Sequence, residues 1–156
     1  MEAPDVRAFT RVFAERFEAD DPGAAAKQFE SVRVDIVRAQ FEALGRGDLA
    51  GFLELMDPEI ELEIAAPPEF HWTRHARGLA EVRSAVEHNF STVQDQDPNL
   101  VNIVAQGNIV VIFGREDGRI RASGRPYDVY FVYRFDFRGT KIRRVLEVAA
   151  FVTSET

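Results

Sequence analysis

The sequence predicts an α+β fold in which helices cover one face of a curved antiparallel sheet. In the first half of the chain, apolar residues recur at helical spacing. In the second half they alternate, and YDVYFVYRFDF (127–137) has an apolar or aromatic residue at every second position. Helices followed by a run of antiparallel strands are typical of an α+β domain.

Composition excludes several classes of protein. The chain has 156 residues, enough for one domain with a substantial core, and 46% of them are apolar. Its net charge of −7 argues against a general nucleic-acid or anionic-membrane binder, because attraction to phosphates needs positive charge. The chain has no cysteine, no apolar stretch near the roughly 20 residues that span a bilayer, and no basic leader. We therefore expect a cytoplasmic protein without disulfides.

The N-terminal part is predicted to form two helices. The first is indicated by a stripe of Val6, Phe9, Phe13 and Phe17, and the sequence DDPG at 20–23 breaks it. Asp21 fits the N-cap of a longer second helix, because Pro22 then occupies the first helical position. Gly45 or Gly47 ends this second helix.

Two further helices are predicted before the sheet is complete. Asp48 is expected to cap a short helix that reaches Met56 and stops at Pro58. The other helix follows the spacing of Leu79, Val82, Val86 and Phe90.

Strands are predicted from alternation and from turn residues. Residues 67–78 are expected to form a loop because of its two prolines, and Asp117-Gly118 is expected at a tight hairpin turn. A bend is expected at 124–126. The predicted strands are 59–66, 100–106, 109–116, the bent stretch 119–137, and 141–152.

The late strands are apolar on both faces. Val110 and Ile112 face one way, while Val111 and Phe113 face the other. Helices can cover only one of these faces, and a monomer rarely leaves so large an apolar surface in water. This indicates a homodimer formed through the outer face of the sheet.

The order of these segments resembles the nuclear-transport-factor-2-like superfamily, with its SnoaL-like and ketosteroid-isomerase-like members. FEALGRGDLAGFLELMDPEIELEI, RGLAEVRSAVEHNF, VAQGNIVVIFGRE and GRPYDVYFVYRFDFRGTKI carry the resemblance. It implies a cone-shaped curved antiparallel sheet packed against N-terminal helices (a cystatin-like α+β roll) around a pocket, usually in a dimer. Residues 1–28 would form a helical extension and residues 29–156 the cone domain.

The resemblance does not extend to the isomerase catalytic set. The positions of the isomerases' tyrosine acid, aspartate base and second oxyanion donor are occupied here by Gln40, Ile64 and Phe131. Proton abstraction beside a carbonyl needs both a base and an oxyanion donor, so the isomerase mechanism in that form is not expected.

The late strands resemble limonene-epoxide hydrolases more closely. That resemblance places the two catalytic carboxylates on Glu116 and Glu147, whereas the arginine between them falls on Gly114. Glu147 also interrupts an apolar strand, and a lone buried carboxylate is costly unless it is paired, hydrogen-bonded or protonated. Two alternatives remain open: Glu147 could pair with an arginine across the sheet, and Glu116 could sit at a hairpin end.

Other candidates for ligand contact complete the predicted site. Trp72 and His71 belong to a loop that either covers the pocket mouth or lies on the surface, with Trp72 packed on the helix of Val82 and Val86. Tyr133 lies mid-strand as a candidate partner of Glu147. The remaining predicted ligand-binding residues are Gln40, Asn89, Phe131, Ile64 and Ile112. For Tyr133, Gln40 and Asn89, ordinary packing in the core is the alternative to ligand contact.

No cofactor and no metal is expected. His71 and His75 are four residues apart, but the preceding prolines disfavour a helix and no third ligand is evident.

The predicted function is binding of a small apolar molecule, with acid/base catalysis by the pocket carboxylates. The reaction would be an isomerisation, a ring closure or an epoxide hydration. The alternative is a non-catalytic ligand-binding or dimeric scaffold domain, since the same cone fold hosts both. No nucleic-acid or membrane partner is expected.

Overall fold

The computed structural model describes residues 23–153, and side chains from residue 27 onward. The helix predicted at 6–17 and the cap predicted at Asp21 lie outside the described residues. Within them, three helices pack on one sheet, which confirms the α+β class. They are α1 (Gly23–Gly45), α2 (Leu49–Glu54) and α3 (Gly78–Ser91), and none of them is long and apolar enough to cross a membrane.

The short helix α2 begins as predicted but ends early. The Asp48 side chain accepts a hydrogen bond from the Gly51 backbone N–H at 2.9 Å, which confirms the N-cap. Met56 was predicted on this helix and instead opens the first strand, where its side chain is buried in the core. The Ile142 backbone N–H donates to the Leu55 carbonyl at 3.0 Å, so tertiary pairing ends the helix before Pro58.

Six strands form one curved sheet in the order β2-β1-β6-β5-β4-β3. All neighbours are antiparallel except β1 and β6, which run parallel. The predicted antiparallel sheet is therefore correct apart from this one pair. The strands are β1 (Met56–Ala65), β2 (His75–Arg77), β3 (Val93–Gln106), β4 (Ile109–Ile120), β5 (Pro126–Arg138) and β6 (Lys141–Phe151).

Two predicted loops contain regular structure. The segment 67–78 contains a 3-10 turn (Pro68–Phe70) and the strand β2, which pairs with β1. The third strand begins at Val93 rather than Leu100, because DQDPN pairs with β4 in spite of its proline. A proline is tolerated here because β3 is the edge strand of the sheet.

The hairpin predicted at Asp117-Gly118 is wrong. Both residues continue β4, where they pair with Asp128 and Tyr127 of β5. The chain reverses at 121–125 instead, and Gly124 there adopts a φ of +70°. A Cβ on Gly118 would lie 2.6 Å from the Tyr127 hydroxyl, so this glycine makes room for a ring across the strands.

The core lies between the concave face of the sheet and the helices. On β5 the buried side chains are those of the odd-numbered positions Tyr127, Val129, Phe131, Phe135 and Phe137. The three phenylalanines share one core cluster with Val37 of α1 and Val82 of α3, which have no exposed surface. Tyr127 and Val129 belong to a second, smaller cluster with Phe70, Val93 and Ile120. The alternation in YDVYFVYRFDF therefore marks the dry face, as predicted.

Gly114 provides a test of this packing. A Cβ there would lie 2.4 Å from Cζ of Phe131 and 2.6 Å from the backbone oxygen of Asn99. We expect Gly114→Ala to lower the free energy of unfolding by about 1–3 kcal/mol, measured by urea denaturation. Gly45→Ala is the control, because a Cβ at that position would meet nothing within 4 Å. Equal stability of the two variants would contradict the close packing described for β4 and β5.

Candidate functional site

A cavity of about 100 Å³ lies between the helices and the concave face of the sheet. One water needs roughly 10–15 Å³ of such a cavity, so this cavity has room for several waters or a small organic molecule. The lining is mostly apolar and includes Leu62, Val82 and Phe135, and it contains no Lys, Arg or His among the described residues. Its polar members are Gln40, Asn89, Gln96, Glu116, Tyr133 and Glu147.

Glu147 is the central acidic group of the cavity. It lies on β6, directly opposite Tyr133 of β5 and beside Ile64 of β1. Burial raises the pKa of Glu147 from 4.5 to about 7, the Tyr133 hydroxyl opposes this by hydrogen bonding, and the charge of Glu116 adds to it. No described Lys or Arg forms a salt bridge with Glu147, so the alternative of an arginine partner is wrong.

Glu116 is held at the wall of the cavity by two donors. Its Oε1 accepts a hydrogen bond from the Tyr127 hydroxyl at 2.6 Å and another from Gln96 Nε2 at 3.2 Å. Burial, followed by this bond to Glu116, raises the pKa of Tyr127. Glu116 therefore sits within β4 and not at a hairpin end, which removes the second alternative.

Tyr133 lies in a layer of aromatic rings. It packs edge-on against Phe41 of α1 at 5.4 Å and stacks on Phe135 at 5.9 Å, between ring centroids. Burial, followed by the charge of Glu147, raises the pKa of Tyr133 well above its ordinary value. The hydroxyl therefore stays protonated and lies opposite the Glu147 carboxyl across the strand pair.

Hydrogen bonds between the segment after β1 and the C-terminal end of α3 hold Trp72 and Asn89 in place. Trp72 Nε1 donates to Thr92 Oγ1 at 2.9 Å, and its ring stacks on Phe70 with centroids 4.5 Å apart. Asn89 Oδ1 accepts from the Thr73 backbone N–H at 2.7 Å, and Asn89 Nδ2 donates to the Thr73 carbonyl at 3.2 Å. Both side chains line the cavity.

Most, but not all, of the residues predicted for the site lie at the cavity. Those that line it are Glu116, Glu147, Tyr133, Trp72, Gln40, Asn89 and Ile64. Phe131 and Ile112 are buried in the core behind the lining. His71 is exposed in a left-handed conformation (φ +52°), and its carbonyl accepts from His88 Nε2 at 3.1 Å.

Two polar residues that hold Glu116 were not predicted. Gln96 falls in a segment that reads as a loop, and Tyr127 is one of several rings in an alternating strand. The signal for Tyr127 in the sequence is Gly118. This glycine pairs with Tyr127 across the strands and leaves space for its ring.

No group of three or more His, Cys, Asp or Glu side chains within residues 23–153 is arranged to hold a metal ion.

Comparison with known proteins identifies the family. The SnoaL-like domain model matches residues 37–145, which is more than half of the chain, and the chain therefore belongs to the SnoaL-like domain family. Its solved relatives share the NTF2-like, ketosteroid-isomerase-like cone fold. No curated protein is significantly similar in sequence.

Three solved structures illustrate the fold. An NTF2-like protein from Burkholderia xenovorans LB400 is 25% identical, with a TM-score of 0.66 over 78% of this chain and 91% of that one. TerC, co-crystallised with polyporic acid, is 19% identical, with a TM-score of 0.63 over 78% and 92%. A protein from Catenulispora acidiphila DSM 44928, in complex with trimethylamine, is 15% identical, with a TM-score of 0.59 over 72% and 82%.

The raised pKa of Glu147 has a consequence for stability. Because the folded state holds this proton more tightly than the unfolded chain, ionising Glu147 costs stability as the pH rises from about 4.5 to about 7. We expect Glu147→Gln to be more stable than the native protein at pH 8, by up to about 3 kcal/mol. The difference should shrink towards pH 4, where the native carboxyl is protonated.

Urea denaturation across this pH range measures the effect. Glu69→Gln, at an exposed position outside the cavity, is the matched control and should follow the native curve within about 0.5 kcal/mol. A Glu147→Gln variant that is less stable than the native protein at pH 8 would contradict the raised pKa of the native carboxyl.

Proposed function

We propose that this protein binds a small, mostly apolar molecule in the cavity and catalyses a proton transfer on it, with Glu147 as the acid/base group. The observation that supports this most is the carboxyl of Glu147 in an apolar cavity, with burial raising its pKa to about 7. A group with a pKa near the working pH can both accept and donate a proton at useful rates.

The surroundings of Glu147 fit this role. The Tyr133 hydroxyl would orient the carboxyl and stabilise its ionised form after proton abstraction. Glu116, held by Tyr127 and Gln96, would supply a second, fixed carboxylate on the same cavity wall. Two carboxyl groups in different environments are the usual arrangement for separating an acid from a base.

The proposed reaction is an isomerisation, a ring closure or the hydration of an epoxide. Each of these moves a proton on a small organic molecule without a redox cofactor. The apolar lining and Trp72 would exclude bulk water and strengthen the interaction of Glu147 with the reacting group.

Turnover of a panel of epoxide, ketone and polyketide-like substrates tests the proposal. We expect Glu147→Gln to lower turnover by about 10²–10⁴-fold, because glutamine keeps the shape but cannot exchange a proton. The native rate should depend on pH with a limb near 7. Glu69→Gln should retain full activity.

Unchanged turnover in Glu147→Gln would contradict catalysis. It would leave the alternative, a non-catalytic binding domain in which the same cavity holds a ligand without converting it.

We also propose that the convex face of the sheet forms a homodimer. Phe113, Tyr130 and Val132 are only partly buried on this face, and Val148 beside them is 41% exposed. Such an apolar surface on the side away from the helices is typical of a subunit contact.

Sedimentation velocity tests the dimer with a matched pair of variants. Val148→Lys should convert the dimer to a monomer, since it places a charge in the middle of the apolar face. Val32→Lys, at a position of α1 that is 42% exposed, should remain dimeric. A native protein that sediments as a monomer at every concentration would contradict the proposal.

A further inference from the structure

Gln40 carries a donor with no partner inside the cavity. It lies on the buried face of α1, between Val37 and Leu44 at helical spacing, and only 3% of its surface is exposed. Its Nε2 is buried and makes no hydrogen bond, although the side chain lines the cavity. Buried donors are almost always satisfied, so one that remains free beside a cavity is available to an acceptor atom of the molecule that fills the cavity.

The other polar nitrogens around the cavity are already engaged. Asn89 Nδ2 binds the Thr73 carbonyl, Gln96 Nε2 binds Glu116, and Trp72 Nε1 binds Thr92 Oγ1. Among the described residues that line the cavity, Gln40 Nε2 is the buried donor left without a partner. An incoming polar group can therefore be bound here without breaking an existing hydrogen bond.

The charges of the lining restrict what that polar group can be. Two carboxyl groups, Glu116 and Glu147, line the cavity, and no described cationic side chain does. A carboxylate or phosphate on the ligand would be repelled by these groups and would lose its hydration. A protonated amine would suit the carboxylates but would present no acceptor to Gln40 Nε2.

A neutral oxygen without a proton fits these constraints best. A hydroxyl also accepts a hydrogen bond, but it brings a donor that must in turn be paired, with Glu116, Glu147 or Gln40 Oε1. A carbonyl oxygen accepts a hydrogen bond and adds no unsatisfied donor.

We propose that Gln40 determines the specificity of the cavity by donating from Nε2 to a carbonyl oxygen of a neutral, mostly apolar ligand. This rests on the proposed ligand-binding function of the cavity, but it does not require that Glu147 is catalytic. The ligand would lie with its carbonyl against α1 and its apolar part among the rings of Phe41, Tyr133 and Phe135.

A series of matched probes tests the proposal by isothermal titration. Acetophenone, 1-phenylethanol, ethylbenzene and benzoate share one ring and differ in the polar group. Acetophenone should bind most tightly to the native protein and benzoate least. In Gln40→Met, which keeps the length of the side chain but removes the donor, acetophenone should bind about 5–10-fold more weakly. Ethylbenzene should bind the variant as well as it binds the native protein.

An infrared measurement on the native protein needs no variant. The carbonyl stretch of isotope-labelled acetophenone should move to lower frequency on binding, because donation from Gln40 weakens the double bond. In Gln40→Met it should return to the value seen in an apolar solvent.

The outcomes separate this proposal from the catalytic one. Glu147→Gln should keep the preference for acetophenone over ethylbenzene. The binding test of Gln40 therefore stays valid even if Glu147 proves not to be catalytic. Absence of acetophenone binding, equal affinity for acetophenone and ethylbenzene, or tighter binding of an amine such as 1-phenylethylamine would each overturn the assignment to Gln40.

Discussion

The burial of one carboxyl group, that of Glu147, is the constraint on which the rest of the site depends. Desolvation disfavours its ionised form and raises its pKa towards neutrality. The structure offsets this cost only in part, through the Tyr133 hydroxyl, and provides no cationic partner among the described residues. Elsewhere on the sheet, arginines of β5 and β6 pair with acidic residues on the outer face, for example Arg144 with Glu63. Glu147 is unpaired because the cavity on the concave side contains no described cationic side chain, whereas the outer face does.

Strand register brings the polar groups of the site together. Tyr133 and Glu147 are direct partners on β5 and β6, and Ile112 of β4 pairs with Tyr133 on its other side. Side chains on one face of a sheet repeat every second residue, so Glu116 on β4 shares the concave face with them. The two glycines of β4, Gly114 and Gly118, leave the space that the rings of Phe131 and Tyr127 occupy. A shift of one residue in β4 would turn Glu116 to the outer face and remove its contact with Tyr127.

Much of this arrangement is predictable from local pattern. The alternation in YDVYFVYRFDF correctly separates the concave face from the convex one, and the lone glutamate in RRVLEVAAFV lies on the concave side, where it lines the cavity. Patterns of this kind report burial, which is the strongest signal in a sequence. Several errors arise where pairing between distant segments overrides local preference. Asp117-Gly118 has turn chemistry but continues a strand because β5 pairs with it, and DQDPN is drawn into β3 by β4. The contacts of Gln96 and Tyr127 with Glu116 depend on the same long-range register and could not be predicted from spacing.

The titration of Glu147 tests the central role of its burial most directly. Carbon-13 NMR of labelled glutamate side chains, with the Glu147 signal assigned by its absence in Glu147→Gln, reports this pKa without a substrate. We expect a midpoint at about 7. A midpoint near the ordinary value of 4.5 would show that the carboxyl is solvated or paired, and would contradict the central role given to its burial.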